Sequence, residues 1–286
     1  MQIPKTILVA LDLSEMDKNV ITYASFLAES LGVEQVYFVH NIKKYELSQL
    51  FAEQLENINL DELIGDELND KVNELFTATV SWEVLISEDP YTETLINYIV
   101  NKYYVDLVLL GNKNHLKGSS TVSGKLLRLL RCDVFLVPKS PDFALDNLWT
   151  GTDFSRESKK AFGMANSIAK ITGGSITAAH VYTVPIQFSP YLPKATMAPK
   201  IRKHVTEKSQ KFIEKLAYKT PITQKIIPGR DTGIAEQLIE ESQNGKADLL
   251  IIGDKGINNF STLLIGSVTE NVFNQMTRPA LWIVKS

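Results

Sequence analysis

Cysteine and long apolar runs are what this sequence has least of. Cys132 is the only cysteine among 286 residues, which excludes an intrachain disulfide and a cysteine-rich zinc site. No window approaches 18 uninterrupted apolar residues, so the sequence predicts no transmembrane helix. The first residues lead into a short apolar stretch that contains Asp12, without the cleavage site of a signal peptide. We therefore expect a soluble, cytoplasmic protein.

A surplus of basic residues is also missing. The chain has 30 Lys and Arg against 33 Asp and Glu, a net charge of -3. Because proteins that coat nucleic acid carry a basic excess, nucleic acid is not an expected partner, and neither is a membrane. The apolar share of 44% and the charged share of 22% are ordinary for a globular protein. At about 100–200 residues per domain, the length suggests two domains.

The chain contains an internal repeat. Four short segments of the first half recur in the same order in the second half, about 140 residues later. The pairs are Thr6–Ser14 with Leu148–Ser155, Val36–His40 with Ile176–His180, Val105–Gly111 with Ala247–Gly253, and Asp133–Lys139 with Pro279–Lys285. We predict two copies of one domain, residues 1–141 and 142–286, joined where Pro, Ser and Asp cluster.

Each copy alternates strands and helices. In the second copy the predicted strands lie near 147–152, 175–182, 222–228, 248–253 and 280–285, and the predicted helices over 156–171, 200–217, 232–244 and 266–276. The strands are continuous apolar runs such as Leu249–Ile252, which is typical of a parallel sheet buried on both faces. The helices have one apolar side, as with Ile234 and Leu238. This alternation predicts a doubly wound α/β fold in each copy.

Two stretches do not fit this pattern. Residues 43–78 are acidic and rich in leucine, which predicts a helix with a mobile section. Residues 183–199 contain Pro185, Pro190, Pro193 and Pro199, so we expect an irregular excursion without a helix there.

The second copy carries a glycine-rich pattern where an open α/β sheet binds its ligands, at the carboxyl ends of the strands. Asp153 follows the first strand, Gly253–Gly256 follows the fourth, and Gly266 and Ser267 open a helix after nine further residues. Glycines allow close approach of the backbone, and a helix start offers unpaired N–H groups with a positive dipole end. The pattern predicts a phosphate cradle, although the Walker P-loop and a Gly-x-Gly-x-x-Gly turn are both missing.

The spacing Gly253-x2-Gly256-x9-Gly266-Ser267, with Asp-x-Ser after the first strand, resembles the nucleotide-binding branch of the universal stress protein family. The resemblance covers essentially the whole chain, as a tandem two-domain member. It implies a five-stranded parallel sheet per domain in the order 3-2-1-4-5. It also implies that the last strands of two domains pair, here as a pseudo-dimer within one chain, while a homodimer stays open. The implied cofactor is ATP, in a stress-response role.

The resemblance also implies the contacts of the nucleotide. Asp153 would hold the nucleoside with Thr152 beside it, and Val181 would pack on the adenine. The residues that would wrap the ribose and phosphates are Gly253, Asp254, Lys255, Gly256, Gly266, Ser267 and Val268. The carboxylate of Asp254 would repel phosphates, so Lys255 or a divalent cation such as Mg²⁺ would have to offset it.

The first copy is a degenerate version of this site. Gly111 is followed by Asn114 where the second copy has its next glycine. Alignment of the closing strands places Ser120–Val122 opposite Gly266–Val268, and Asn41 stands in the place of Val181. Only Asp12 is retained. We predict a weak or absent nucleotide site in residues 1–141.

Simpler interpretations remain for several of these residues. Asp153 alternatively caps the following helix, because Asp and Ser favour the N-cap. Gly253 and Gly256 alternatively serve ordinary turns. Arg230, which follows the third strand, is a further candidate for a phosphate contact. His40 and His180 recur at one repeat position, but no further ligand lies near them in sequence, so a metal site is not predicted from them.

Three functions compete. The first is an ATP-binding regulatory protein of the stress response, and the second is an adaptor or scaffold that binds no nucleotide. The third, an adenylyl transferase, is disfavoured because Asp153-Phe154-Ser155 stands where such enzymes carry a histidine motif. The sequence offers no nucleophile and base together in the site, so we name no catalytic residue and expect no rapid catalysis. Slow ATP hydrolysis or self-phosphorylation stays open.

Overall fold

The computed structural model describes residues 2–43, 59–113, 120–183, 194–230, 233–256 and 265–286. These residues form two compact units. One unit is Ile3–Phe143, and the other consists mainly of Ala144–Ser286. Each is an α/β domain with a five-stranded parallel sheet.

The first domain has its strands in the order β3-β2-β1-β4-β5. Its described elements are β1 (Thr6–Leu11), α1 (Met16–Leu31), β2 (Gln35–Ile42), α2 (Leu60–Leu75), β3 (Ser81–Glu88), α3 (Thr92–Lys102), β4 (Leu107–Gly111), α4 (Ser120–Leu129) and β5 (Asp133–Val137). In the central strand, Leu8 lies beside Tyr37 of β2 and Val108 of β4, with parallel pairing on both sides. The predicted doubly wound α/β fold is confirmed.

The second domain repeats this arrangement, in the order β8-β7-β6-β9-β10. Its described elements are β6 (Asn147–Gly151), α5 (Arg156–Thr172), β7 (Ser175–Tyr182), α6 (Lys194–Leu216), β8 (Ile222–Pro228), α7 (Ile234–Asn244), β9 (Leu249–Gly253), α8 (Ser267–Gln275) and β10 (Ala280–Val284). Trp149 of β6 lies beside Thr177 of β7 and Leu250 of β9. Apart from the start of α6, the element bounds predicted for this copy are within two residues of those observed.

Burial on both faces of the sheets explains the continuous apolar runs. Ile7–Val9 in β1 and Leu249–Ile251 in β9 have no solvent exposure, and the same is true of Trp282 in β10. Each buried aliphatic or aromatic side chain contributes about 1.5–3 kcal/mol relative to an exposed one. The sheets therefore carry much of the stability, and the loops at the strand ends are left for binding.

A tight turn follows the first strand of each domain. Leu13 and Phe154 have positive φ angles of 62° and 66°, a conformation uncommon for residues other than glycine. In this turn the aspartate side chain folds over the following backbone. Oδ1 of Asp12 accepts a hydrogen bond from the N–H of Ser14, and Oδ1 of Asp153 accepts one from the N–H of Ser155. Both aspartates are thereby held at the carboxyl end of a central strand.

The prediction for residues 183–199 is wrong in its last part. Helix α6 begins at Lys194 and contains Pro199, whereas we expected no helix before residue 200. Proline fits the first turn of a helix, where N–H groups have no intrahelical partner. Pro199 is the sixth residue of α6, so the helix loses one hydrogen bond and continues through 23 residues.

Other parts of the two unusual stretches lie outside the described residues. Pro185, Pro190 and Pro193 are among these, and so are residues 44–58 of the acidic stretch. The described part of that stretch contains α2, a helix as expected. Within the described ranges, no helix is both long and apolar enough to cross a membrane.

Candidate functional site

A cavity of about 570 Å³ lies at the carboxyl ends of β6, β7 and β9 in the second domain. Nine of the ten predicted site residues line it: Thr152, Asp153, Val181, Gly253, Lys255, Gly256, Gly266, Ser267 and Val268. The tenth, Asp254, does not. The fold thus brings together three parts of the chain, residues 152–153, residue 181 and the glycine loop, which begins 72 residues after residue 181.

Asp153 is oriented by a small hydrogen-bond network. Its Oδ1 accepts hydrogen bonds from the N–H of Ser155 at 2.9 Å and from the hydroxyl of Ser158 at 2.7 Å. The N–H of Asp153 in turn donates to Ser158 Oγ at 3.2 Å. These bonds fix Oδ1 on the protein side, and Oδ2 lies next to Gly256. The carboxylate is therefore part of the cavity wall in a defined orientation.

The glycine loop packs closely against this carboxylate. A Cβ atom on Gly256 would lie 2.7 Å from Asp153 Oδ2, nearer than any carbon atom can approach without displacement. A larger residue at position 256 would therefore have to displace the Asp153 carboxylate from the position that its hydrogen bonds define. Two further bonds close the loop: Gly266 N–H donates to Asp254 O at 2.8 Å, and Thr269 Oγ1 donates to Gly253 O at 2.8 Å.

Helix α8 begins at the cavity. Gly266 is its N-cap, with φ of −67° and ψ of 139°, and no side chain caps the helix. The first N–H groups of a helix have no intrahelical acceptor and carry the positive end of the dipole. Gly266, Ser267 and Val268 all line the cavity, so its wall includes a helix N-terminus suited to an anion.

Asp254 is buried below the loop and not in the cavity wall. The residue is 3% exposed, and its Oδ2 lies 3.4 Å from Ser286 Oγ. Lys255 Nζ donates to the same Ser286 hydroxyl at 2.8 Å and lies 3.9 Å from Asp254 Oδ2. Removal of the carboxylate from the cavity reduces the repulsion that its sequence position implied. Lys255 remains in the wall and adds positive charge.

The opposite end of the cavity is more apolar. Val181 is 8% exposed there, and Ile234 and Leu238 of α7 complete this side. His180 adjoins Val181, and its Nδ1 lies 2.6 Å from Thr152 O, so the Nδ1 proton is donated to that carbonyl. Burial lowers the pKa of His180, more than its hydrogen bond to Thr152 raises it. The imidazole is therefore neutral at neutral pH.

An aromatic contact continues from this end to α6. The Phe154 ring lies 4.4 Å from the His180 ring, and Lys208 Nζ of α6 lies 5.0 Å above the Phe154 ring. Lys208 also lines the cavity. The Phe154 turn therefore connects the cavity wall to a helix that is distant in sequence.

Several wall residues were not predicted from the sequence. They are Gly151, Ser158, Ala179, His180, Lys208, Ile234, Leu238, Ile252 and Thr269. Ser158 could have been predicted from the sequence, because it lies five residues after Asp153, in the first turn of the next helix. Lys208 had no local signal, since only the packing of α6 brings it to the cavity.

The simpler interpretations have different outcomes. The N-cap of α5 is Ser155, whose side chain accepts from the N–H of Ser158, so the alternative interpretation of Asp153 as the cap does not apply. Arg230 Nη1 lies 3.2 Å from Glu240 Oε1. In the described part of the chain, no three His, Cys, Asp or Glu residues are grouped to hold a metal ion.

The first domain has a much smaller cavity at the same place, about 120 Å³. Its aspartate, Asp12, forms an ion pair with Lys113, which follows β4 as Lys255 follows β9. Desolvation tends to raise the pKa of Asp12, but the bonds from Lys113 and Ser14 outweigh it and hold the pKa below its usual value. Met16 and Val20 pack against Gly111. Met16, Val20 and Lys113 all line the small cavity of this domain.

Asn41, the counterpart of the Val181 region, has a structural role. Its side chain bonds to the backbone of Asp89 in both directions at 2.9 Å and donates to Thr92 Oγ1 at 2.8 Å. It therefore ties β2 to the start of α3. A polar, fully engaged amide replaces the apolar surface that Val181 offers.

The repeat and both sheets correspond to one known family. The sequence model of the universal stress protein family matches residues 4–138 and, again, residues 146–284. The chain belongs to the universal stress protein family. This confirms the resemblance drawn from the glycine loop and shows that the two domains are tandem members of it.

Solved structures agree with this membership at the level of the fold. A universal stress protein from Archaeoglobus fulgidus DSM 4304 is 18% identical, with a TM-score of 0.65 over 99% of this chain and 97% of that chain. A functionally unknown protein from Pseudomonas aeruginosa PAO1 is 14% identical, with a TM-score of 0.67 over 99% and 92%. A universal stress protein in complex with cAMP is 23% identical over 48% of this chain and 94% of its own, with a TM-score of 0.33. No curated protein gave a significant match.

Proposed function

We propose that this universal stress protein binds one ATP molecule, in the cavity of its second domain, and acts as a nucleotide-dependent regulatory protein. The observation that carries the proposal is the cavity itself. Its volume of about 570 Å³ is within the roughly 300–1,000 Å³ of small-molecule sites, and its wall unites a helix N-terminus with Asp153 and Val181.

The two ends of the cavity suit the two ends of the ligand. Val181, Ile234 and Leu238 offer apolar surface for the adenine, and Asp153 Oδ2 can accept from an N–H or hydroxyl of the nucleoside. The phosphates would lie against the N–H groups of Ser267 and Val268, with Lys255 beside them. Asp254 contributes to this site through its backbone, since its carboxylate is buried elsewhere.

The described residues do not themselves build a Mg²⁺ site. Asp153 is the only carboxylate among the described residues of the cavity wall, and Asp254 of the glycine loop does not line the cavity. Any Mg²⁺ would therefore depend on the phosphates for most of its oxygen ligands. The hydrogen bond of His180 goes to the backbone oxygen of Thr152 and not to a hydroxyl that it could activate. We propose binding, with at most slow turnover, as the function.

The first domain is proposed as a scaffold without nucleotide. Its cavity of about 120 Å³ is below the size of ordinary ligand pockets, and Lys113 already neutralises Asp12. The sequence left open whether the whole protein is an adaptor without nucleotide. We propose that function for the first domain only.

The proposal is tested by Gly266→Asp. The N-cap conformation of Gly266 suits aspartate, and an added Cβ would meet its nearest neighbours at 3.4 Å, so the helix should form normally. The new carboxylate would occupy the phosphate position. We expect the affinity for ATP, measured by isothermal titration calorimetry, to fall at least about 100-fold, which is about 2.8 kcal/mol.

Two controls separate the causes. Gly266→Asn has similar bulk without charge and should lose much less affinity. Ser120→Asp makes the matching change in the first domain and should leave binding unchanged. Nucleotide released from the denatured wild-type protein is identified by mass spectrometry, with ADP and cAMP also titrated. Normal ATP binding by Gly266→Asp, or two nucleotides per chain, would refute the assignment.

A further inference from the structure

The helices α2 and α6 occupy equivalent places in the two domains but carry opposite charge. Each lies between the second and third strands of its own domain. Helix α2 contains six acidic residues and one lysine. From Met197 to its end at Leu216, helix α6 contains six Lys or Arg and two Glu. The net charge of the whole chain is only -3, so this contrast is local.

The acidic charge of α2 faces outward. All six carboxylates are exposed: Asp61, Glu62, Asp66, Glu67, Asp70 and Glu74. The single lysine, Lys71, is directed inward, with its Nζ 3.5 Å from Oδ2 of the buried Asp17. The exposed face is therefore uniformly negative.

The spacing of these carboxylates forms a continuous stripe. Glu62, Asp66, Asp70 and Glu74 follow one another at intervals of four residues, which places them on one side of the helix over about 18 Å. Like charges four residues apart destabilise a helix, so the stripe costs stability within its own domain. Leu63, 58% exposed, lies on the same side. We call this face, Glu62 to Glu74, the acidic stripe.

Helix α6 borders a groove of about 480 Å³ that it shares with α5. Four exposed lysines and one histidine line the groove, against one glutamate: Lys159, Lys208, Lys211, Lys215, His204 and Glu207. Phe154 and Phe212 form an apolar floor. We call this surface the basic groove. Among the described residues, none of its four lysines takes part in an ion pair, although six lysines elsewhere do.

We propose that the chain associates with a second copy of itself, the acidic stripe of one copy docking in the basic groove of the other. The two surfaces are opposite in charge, and the exposed Leu63 has an apolar counterpart in the aromatic floor of the groove. Complementary charge of this kind accelerates association and makes it sensitive to salt. The inference does not depend on ATP binding.

The first measurement is the mass of the full chain by sedimentation velocity in low and high salt. Because the Debye length falls from about 30 Å at 0.01 M to about 3 Å at 1 M, the association should be present at the lower and lost at the higher concentration. A chain that stays monomeric at low salt and high protein concentration would overturn the proposal.

Charge reversal then identifies the surfaces. One variant carries Lys211→Glu and Lys215→Glu, neither of which lines the nucleotide cavity, and the other carries Asp66→Lys and Asp70→Lys. All four side chains are exposed, so circular dichroism should show unchanged folds. Each variant alone should self-associate at least about tenfold more weakly than wild type. An equimolar mixture should regain association, because each variant supplies the charge that the other lacks.

Other outcomes give a clear answer. Loss of association in the lysine variant but not in the aspartate variant would mean that the groove binds a different surface, and the proposal fails. Failure of the mixture to recover has the same meaning. Binding of inorganic polyphosphate to a monomeric wild type, lost in the lysine variant, would assign the groove to a free polyanion and also refute self-association.

Discussion

Asp12 and Asp153 occupy the same turn but have different neighbours. Asp153 accepts from a hydroxyl, Ser158 Oγ at 2.7 Å, whereas the residue five positions after Asp12 is Asp17, which accepts from the Asp12 N–H at 3.1 Å. Asp17 is buried, which raises its pKa despite its contact with Lys71. The first domain therefore combines two carboxylates with two lysines, and the second combines one carboxylate with a serine.

This difference predicts the effect of Ser158→Asp. The substitution would remove the hydroxyl donor and place a second carboxylate against Asp153 Oδ1, as in the first domain but without Lys113. Repulsion should turn Asp153 away from the nucleoside or favour its protonated form. We expect ATP affinity, measured by isothermal titration calorimetry at pH 7, to fall at least about tenfold, or about 1.4 kcal/mol.

Ser158→Ala is the matched control, because it removes the donor without adding charge. It should weaken binding less than Ser158→Asp does. If Ser158→Asp bound ATP like the wild type, while circular dichroism showed a normal fold, Asp153 would not be a nucleoside contact.

At the scale of the element, the end of α7 shows how tightly the second sheet is covered. Gly245 is the C-cap of this helix, and a Cβ atom there would overlap the indole ring of Trp149 in β6. Trp149 is 4% exposed and has no room to move outward. Gly245→Ala should lower the free energy of unfolding by about 1–3 kcal/mol, the range for overpacked cores. Urea denaturation followed by circular dichroism measures this.

At Gly124 we expect a substitution by alanine to have the opposite effect on stability. This glycine lies inside α4, has no positive φ, and a Cβ atom there would meet nothing within 4 Å. Gly124→Ala should therefore raise stability, by up to about 1 kcal/mol, through higher helix propensity. Equal effects of the two substitutions would contradict the packing described for Trp149.

The strands and helices also show which features of the fold and of the site could be predicted from the sequence. Runs such as Leu249–Ile252 predicted buried strands because short, continuous apolar runs are typical of a parallel sheet covered on both faces. The glycine loop could be predicted because a backbone that packs closely against other groups needs glycine, and the glycines stand at a recognisable spacing. The position of Lys208 in the cavity wall and the start of α6 at Lys194 could not be predicted, because tertiary packing decides both. The burial of Asp254 was also hidden, since the sequence does not show on which side of a loop a side chain lies.

At the scale of the whole molecule, the duplicated domain has diverged in two independent places. The cavity has about 570 Å³ in the second copy and about 120 Å³ in the first, where Lys113 forms an ion pair with Asp12. The helix before the third strand is acidic in the first copy and basic in the second. The strands that hold both features have kept their order. The two copies thus share one scaffold but differ in their surfaces, and we propose a different function for each.

This division of tasks predicts a one-sided response to nucleotide. Binding to the native state adds stability, about 2.7 kcal/mol at 100 times the dissociation constant. Hydrogen exchange followed by mass spectrometry, with and without ATP, should show slower exchange in peptides that cover Gly151–Ser158, Gly253–Gly256 and Gly266–Thr269. Peptides around Asp12 and Gly111 should not change. Protection in both copies would mean that Lys113 yields to the nucleotide, and the first domain would then be a second site.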